Sequence, residues 1–273
     1  MDADETSVDQ RAAADWPPAE VEPRAACSAC RDGHALDFDF TMAFQPIVDV
    51  VAQTIVAYEA LVRGPQGQGA GWVLDKVTSS NLYAFDQACR VRAIEWAAKL
   101  AMPCRLSINF LPNAVYRPQA CIRATLLAAR RVGFPMHQIM FEITESERVS
   151  DGEHLTSIVA EYRRRGFAVA IDDFGAGYAG LNLLARFQPD IIKIDMELVR
   201  GIDRDPVRQT IVEGLMLVAR RLGIEVIAEG VESEREAQAL FRLGVRQFQG
   251  FLFARPAVEA LVPVGDIVFP RLQ

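Results

Sequence analysis

No apolar run in the 273 residues reaches the roughly 18 that a membrane-spanning helix needs. The opening residues, MDADETSVDQ, lack the basic-then-apolar pattern of a secretory signal. No membrane insertion is therefore expected. Basic runs are also missing: Lys and Arg number 29 against 36 Asp and Glu, for a net charge of −7 and a pI of about 5.1. A protein that grips a nucleic acid duplex displays a basic face that releases counterions from phosphates, so no such partner is expected. A small phosphate ligand remains compatible, because local cations outweigh the global sign. A disulfide framework is absent too. The five cysteines (Cys27, Cys30, Cys89, Cys104 and Cys121) are odd in number, and three of them sit in apolar segments. Buried thiols of a reducing, cytoplasmic compartment fit this usage better. The sequence holds no repeat beyond an alternation of strand-like and helix-like segments.

What is present is enough apolar material for a large core: 51% hydrophobic residues against 24% charged, the balance of an ordinary globular protein. Two parts differ in character. Residues 1–36 are rich in Ala, Asp, Glu and Pro and read as a flexible segment. It carries Cys27-x-x-Cys30 with His34 nearby; a structural zinc needs four ligands, so a reduced pair is the reading. The segment is too short for a sensor domain. From residue 37 to 273, short apolar runs alternate with amphipathic stretches. The runs are AFQPIV, TIVAYEAL, RLSINF, QIMFEI, FAVAI, DIIKI, EVIAE and RQFQGFLF, near-continuous as strands buried on both faces should be.

Helical spacing aligns Phe85, Cys89, Ala93, Trp96 and Leu100, and again Val207, Ile211, Leu215, Val218 and Leu222. Residues 116–132 read as one helix closed by Gly133. Asp205-Pro206 forms a helix start, and Ser233 with Glu236 forms a capping box whose helix ends at Gly244. Strand alternating with helix predicts an α/β fold with a parallel sheet, and about 250 residues suit a TIM-type (β/α)8 barrel. The first two strands are joined too closely for a helical crossover, so one antiparallel strand is expected near the start.

A polar residue ends or interrupts nearly every strand: Glu59, Asn109, Glu142, Asp172 with Asp173, Lys193, Glu229 and Gln249. One strand-end acid is as readily a helix cap as a functional group. Five acids and an Asn at the same phase of successive units are different, because strand C-termini converge on one face of a barrel. Carboxylates gathered there repel one another unless cations neutralise them. All-oxygen ligation favours Mg²⁺ or Mn²⁺. Asp172-Asp173 could bridge two ions about 4 Å apart, an arrangement that hydrolyses phosphodiesters. Lys193, inside an apolar strand, needs carboxylate or substrate partners; it would neutralise the ring, polarise an attacking water or meet phosphate.

These residues lie in YEALVR with its Glu59-Ala60-Leu61, FQPIV at 44–48, SIN at 107–109, FEITES at 141–146, DDFGAGY at 172–178, KID at 193–195, AEGVE at 228–232 and QGFLFARP at 249–256. In that order and combination the chain resembles the EAL-domain cyclic di-GMP-specific phosphodiesterases. The resemblance implies the EAL fold, a barrel with one antiparallel strand, and hydrolysis of cyclic di-GMP to linear pGpG with two Mg²⁺ or Mn²⁺ per site, Ca²⁺ inhibiting. It implies that Glu59, Asn109, Glu142 and Asp172 bind one metal, and Asp172, Asp173 and Glu229 the other. Lys193 would contact the nucleophilic water, with Glu229 also catalytic, and Gln249 would support the second metal's water shell. Glu145 would brace the loop after Asp173. Gln45, Leu61, Arg63, Glu232 and Gln249 would touch substrate, Arg63 near phosphate. A homodimer in the cytoplasm is implied, with control through dimerisation, expression or a protein regulator.

The chain departs from the family pattern at Ala176, Ala179 and Gly180, where Thr and Ser are common, and at Arg246, where Asp is common. The lost hydroxyls bear on the loop rather than on the ligands. An alternative is an EAL-like barrel that serves as a cyclic di-GMP receptor or protein-interaction module. Such barrels usually lose a metal ligand or the lysine, and this chain retains them.

Overall fold

Thr41–Asp49 and Thr54–Arg63 form strands β1 and β2, and the four residues between them leave no room for a crossover. They pair antiparallel, with Gln45 opposite Glu59. The remaining barrel strands are β3 (Arg105–Asn109), β4 (Ile139–Thr144), β5 (Ala168–Phe174), β6 (Ile191–Ile194), β7 (Glu225–Ala228) and β8 (Gln247–Phe248). From β2 to β8 each pairs parallel with the next, and β1 closes the ring by pairing antiparallel with β8. A two-residue strand, β9 (Ala257–Val258), adds to the edge of β1. The α/β barrel with one antiparallel strand is thus as expected. This computed structural model describes residues 36–112, 115, 117–144, 152–177 and 180–273. The Cys27, Cys30 and His34 segment, Glu145 and Ala179 lie outside the described residues.

Between the strands run α1 (Ala70–Leu74), α2 (Leu82–Lys99), α3 (Pro118–Cys121), α4 (Arg123–Val132), α5 (Gly152–Arg164), α6 (Gly180–Arg186), α7 (Met196–Val199), α8 (Pro206–Leu222) and α9 (Glu234–Leu243). The caps behave as their chemistry dictates. The Asp205 carboxylate accepts from the Val207 and Arg208 amides at the start of α8. Ser233 and Glu236 make the reciprocal capping box, and Gly133 and Gly244 end their helices in the left-handed region. Arg246, unexplained by sequence, donates to the carbonyls of Phe241 and Val245 and stacks on the Phe241 ring, which completes the end of α9.

Three expectations need correction. Residues 118–132 form two helices rather than one, because the chain turns at Ile122 between α3 and α4. The last strand is only Gln247–Phe248; the apolar FLF that follows turns back instead of extending. On α8 the buried face is Val212, Leu215, Met216 and Ala219, whereas Val207, Ile211 and Leu222 are exposed. Two apolar stripes that share Leu215 run along that helix, and the one bearing Val212, Met216 and Ala219 is buried.

The apolar core has two parts. The larger lies between barrel and helices. The smaller fills the barrel and consists of Ile47, Ala57, Met140, Ala170, Ile191 and Ile227. Side chains alternate in and out along a strand, so residues two positions onward face the same interior. Two positions above these six are Gln45, Glu59, Glu142, Asp172, Lys193 and Glu229; for Gln45 the step runs backward because β1 is antiparallel. An apolar layer therefore floors a polar one at the C-terminal mouth.

Two devices hold that mouth in place. On α2 the buried Asp86 pairs with Arg90 at 2.5 Å and accepts the Leu111 amide at 3.0 Å, which anchors the chain just past Asn109. Gly250 lies flat against the loop after β7. A Cβ there would stand 2.0 Å from the Val231 oxygen and 2.4 Å from its nitrogen. These are backbone atoms that cannot step aside. Gly250→Ala should therefore cost about 1–3 kcal/mol in chemical denaturation; an unchanged midpoint would contradict this packing.

Candidate active site

Lys193 is the centre of the polar layer. Its side chain is fully buried, and Nζ lies 2.6 Å from Glu229, 2.8 Å from Glu142, 3.1 Å from Asp172 and 3.6 Å from Glu59. Burial alone would discharge the lysine, but the surrounding carboxylates hold its pKa well above the ordinary value. Burial pushes Glu142 and Glu229 the other way, above the usual carboxylate range, and their acidic neighbours add to the effect while Lys193 opposes it. One ammonium cannot satisfy four carboxylates, so the layer is short of positive charge.

Each acid is held by its own strand and neighbour. Parallel pairing sets Asn109 opposite Glu142 and Ser107 opposite Glu59. Asn109 donates to Glu59 Oε1 at 3.0 Å, and Gln249 donates to Glu59 Oε2 at 2.6 Å and to Gln45 at 3.2 Å. Ser107 donates to Glu142 Oε1 at 2.5 Å. The other Glu142 oxygen, Oε2, is buried with no hydrogen-bond partner among the described residues, the state of an oxygen that needs a cation.

Asp172 and Asp173 owe their divergence to an irregularity in β5. The register with β6 shifts between Ile171 and Phe174, and Asp173 adopts a φ of 53°. A non-glycine residue in the left-handed region carries strain. Here it lets consecutive carboxylates reach one site instead of pointing to opposite faces. Oxygens of Asp172, Asp173 and Glu229 lie within 4.8 Å of one another. Burial, then the charges of Asp172 and Asp195 and a hydrogen bond with Asp195, raise the Asp173 pKa to about 6. The all-oxygen donor set and the orphaned Glu142 oxygen both fit hard divalent cations.

Above this layer opens a cleft of about 320 Å³, lined by Gln45, Glu59, Asp172, Asp173, Glu229, Glu232 and Gln249 among others. Glu142 and Lys193 lie fully buried. Leu61 and Asn109 face a neighbouring apolar cavity of about 270 Å³. Arg63 stands half-buried, donating to the Val62 carbonyl, and is not among the residues lining the cleft. Sequence reasoning singled out neither Ser107, Asp195, Arg200 nor Phe251. Ser107 could have been found, since it lies two residues from Asn109 on the same strand phase, and Asp195 lies two residues beyond Lys193, just past the end of β6. Arg200 and Phe251, which line the cleft with Asp195, carry no such signal.

A model of the EAL domain matches residues 33–256. The chain belongs to the EAL domain family. Over 82% of its length this EAL chain is 33% identical to the blue light- and temperature-regulated antirepressor BluF of Escherichia coli. Over 56% it is 40% identical to the cyclic di-GMP phosphodiesterase PdeR of the same organism. It spans 56% of BluF and 23% of PdeR. Among solved structures, a standalone EAL protein of Vibrio cholerae in its c-di-GMP-bound form is 53% identical, with a TM-score of 0.81 over 84% of this chain and 97% of that one. The manganese and cyclic di-GMP complex of Klebsiella pneumoniae BlrP1 solved at pH 9.0 is 36% identical, with a TM-score of 0.78 over 83% and 58%. No helix among the described residues of the EAL chain is long and apolar enough to cross a membrane.

Removing the lysine should expose the charge imbalance. Lys193→Met should lower the stability of metal-free protein by about 3–5 kcal/mol, the cost of orphaning buried charge. Mn²⁺ should then raise the melting temperature of the variant more than that of the parent. Equal Mn²⁺ shifts in both would contradict the charge-deficient layer.

Proposed function

We propose that the chain hydrolyses cyclic di-GMP to linear pGpG, using two divalent cations. The observation that carries this reading is the polar layer itself: four carboxylates around one buried lysine, with Asp172, Asp173 and Glu229 close enough to share an ion. Membership of a phosphodiesterase family and the nucleotide-bound relatives support the substrate class.

Glu59, Asn109, Glu142 and Asp172 would hold one cation, and Asp172, Asp173 and Glu229 the other. Mg²⁺ or Mn²⁺ bound there would supply Lewis-acid stabilisation of phosphoryl oxygens and a more acidic attacking water. The chain's own groups do the rest. Lys193 orients the attacking water and adds positive charge where the phosphorane-like transition state gathers negative charge. Gln249 keeps Glu59 in position and presents its buried amide toward the cleft. Gln45, Leu61 and Glu232 contact the nucleotide, and Arg63 turns from the Val62 carbonyl to a phosphate. Glu145 braces the loop after Asp173. Ca²⁺ binds the same oxygens but inhibits. The chain acts as a cytoplasmic homodimer under a protein regulator.

A second reading has one specific support: the antirepressor BluF, named for regulation rather than catalysis, matches over most of the chain. In that case the barrel would bind the nucleotide without cleaving it.

Incubation with cyclic di-GMP and Mn²⁺ or Mg²⁺, followed by chromatography, should yield pGpG. Glu59→Gln should lower turnover at least about 100-fold, beyond the loss usual for a supporting residue around a metal. Intact cyclic di-GMP with either metal would overturn the catalytic reading and leave the receptor reading.

A further inference from the structure

The cleft must admit an anionic dinucleotide, yet nearly half of its described lining residues are acidic. Glu59, Asp172, Asp173, Asp195, Glu229 and Glu232 face it, and Arg200 is the one cation among the described lining residues. Arg200 follows α7 and is set against the loop after β7 by close packing. Gly230, at φ 62°, presses on Met196 so tightly that a Cβ would stand 2.5 Å from the Met196 Cβ. That contact brings Arg200 and Glu232 together: Nη2 lies 3.6 Å from Glu232 Oε1. The loop is fixed from its other side as well. Glu236 accepts the backbone amide of Glu232, and the Val231 amide donates to the Gln249 carbonyl at 3.1 Å.

Both side chains remain more than half exposed, 58% for Arg200 and 51% for Glu232. An exposed pair of this kind contributes little to stability, so its polar atoms are available to a ligand. Phe251 lines the same cleft and is 46% exposed, with the Arg255 guanidinium 4.1 Å from its ring.

We propose that Arg200, held beside the nucleotide-contacting Glu232, completes the reading of a guanine base and is a specificity-determining residue. Guanine carries an acceptor, O6, beside two donors, N1–H and the N2 amino group. A guanidinium donates to O6, and to N7 where it reaches, while the adjoining carboxylate accepts from N1–H and N2–H. Adenine inverts this edge: its 6-amino group is a donor facing a donor, and N1 is an acceptor facing a carboxylate. Phe251, with Arg255 over one side of its ring, offers the opposite face to a stacking base. The pairing also explains how an acidic cleft tolerates Glu232 at its rim, because the base rather than a phosphate meets it.

This inference rests on cyclic di-GMP being the ligand, and the test separates the two. Affinity is measured with Ca²⁺ present, a condition in which the Klebsiella relative was solved with the same nucleotide, and KM is measured with Mn²⁺. Both are determined for cyclic di-GMP and cyclic di-AMP. Arg200→Gln should raise the Kd and KM for cyclic di-GMP roughly tenfold or more and narrow its preference over cyclic di-AMP. Arg200→Lys, a point charge without the planar fork, should recover only part of the preference. Values for cyclic di-GMP within twofold of the parent's, or an unaltered preference between the two nucleotides, would overturn the role of Arg200 alone. A parent protein that neither binds nor cleaves cyclic di-GMP would overturn the proposed function, and this inference with it.

Discussion

A single ammonium buried among four carboxylates is the constraint on which this molecule turns. Lys193 cannot reach solvent and keeps its charge only because Glu59, Glu142, Asp172 and Glu229 surround it. Those acids stay together only because a cation stands between them. The arrangement has more negative than positive charge, which creates an electrostatic demand for divalent ions in the place where the strand ends meet. Ser107, Asn109 and Gln249 make the demand specific. By donating to Glu142 and Glu59 they fix which oxygens are occupied and which remain for a ligand.

The fold serves this layer in two ways. Parallel strands in register bring equivalent positions to one level, and the apolar layer of Ile47, Ala57, Met140, Ala170, Ile191 and Ile227 beneath them keeps water out from below. The antiparallel β1 then contributes Gln45 from the opposite chain direction, opposite Glu59 and bonded to Gln249. Local irregularity does what regular pairing cannot. The strained Asp173 places a second carboxylate beside Asp172, and Gly250 lets the last strand lie directly on the loop that bears Glu229 and Glu232. Preorganisation of this kind is where an enzyme can place strain to useful effect.

Much of the barrel was legible because its strands are buried on both faces and so read as apolar runs broken at a constant phase by polar residues. That is why Glu59, Glu142, Asp172, Lys193 and Glu229 were recognisable before any coordinates. What failed to read follows from the same physics. Periodicity identified an apolar stripe on Val207–Leu222 but not which of two stripes is buried, since both are apolar and share Leu215. Hydropathy extended the last strand through FLF, although three apolar residues can equally form a turn at the barrel's mouth. Arg200 and Phe251 reach the cleft through loop geometry, and no spacing rule encodes a loop's path. Arg246 acquired a reading only when its contacts to the end of α9 were known.

The central claim is that the carboxylate layer holds two divalent cations, with Asp172 between them. Anomalous diffraction from crystals grown with Mn²⁺ tests it most directly. The account predicts two manganese peaks, one within coordination distance of Glu59, Asn109, Glu142 and Asp172 and the other of Asp172, Asp173 and Glu229. A map with no peak there, and Lys193 alone still neutralising the acids, would contradict it.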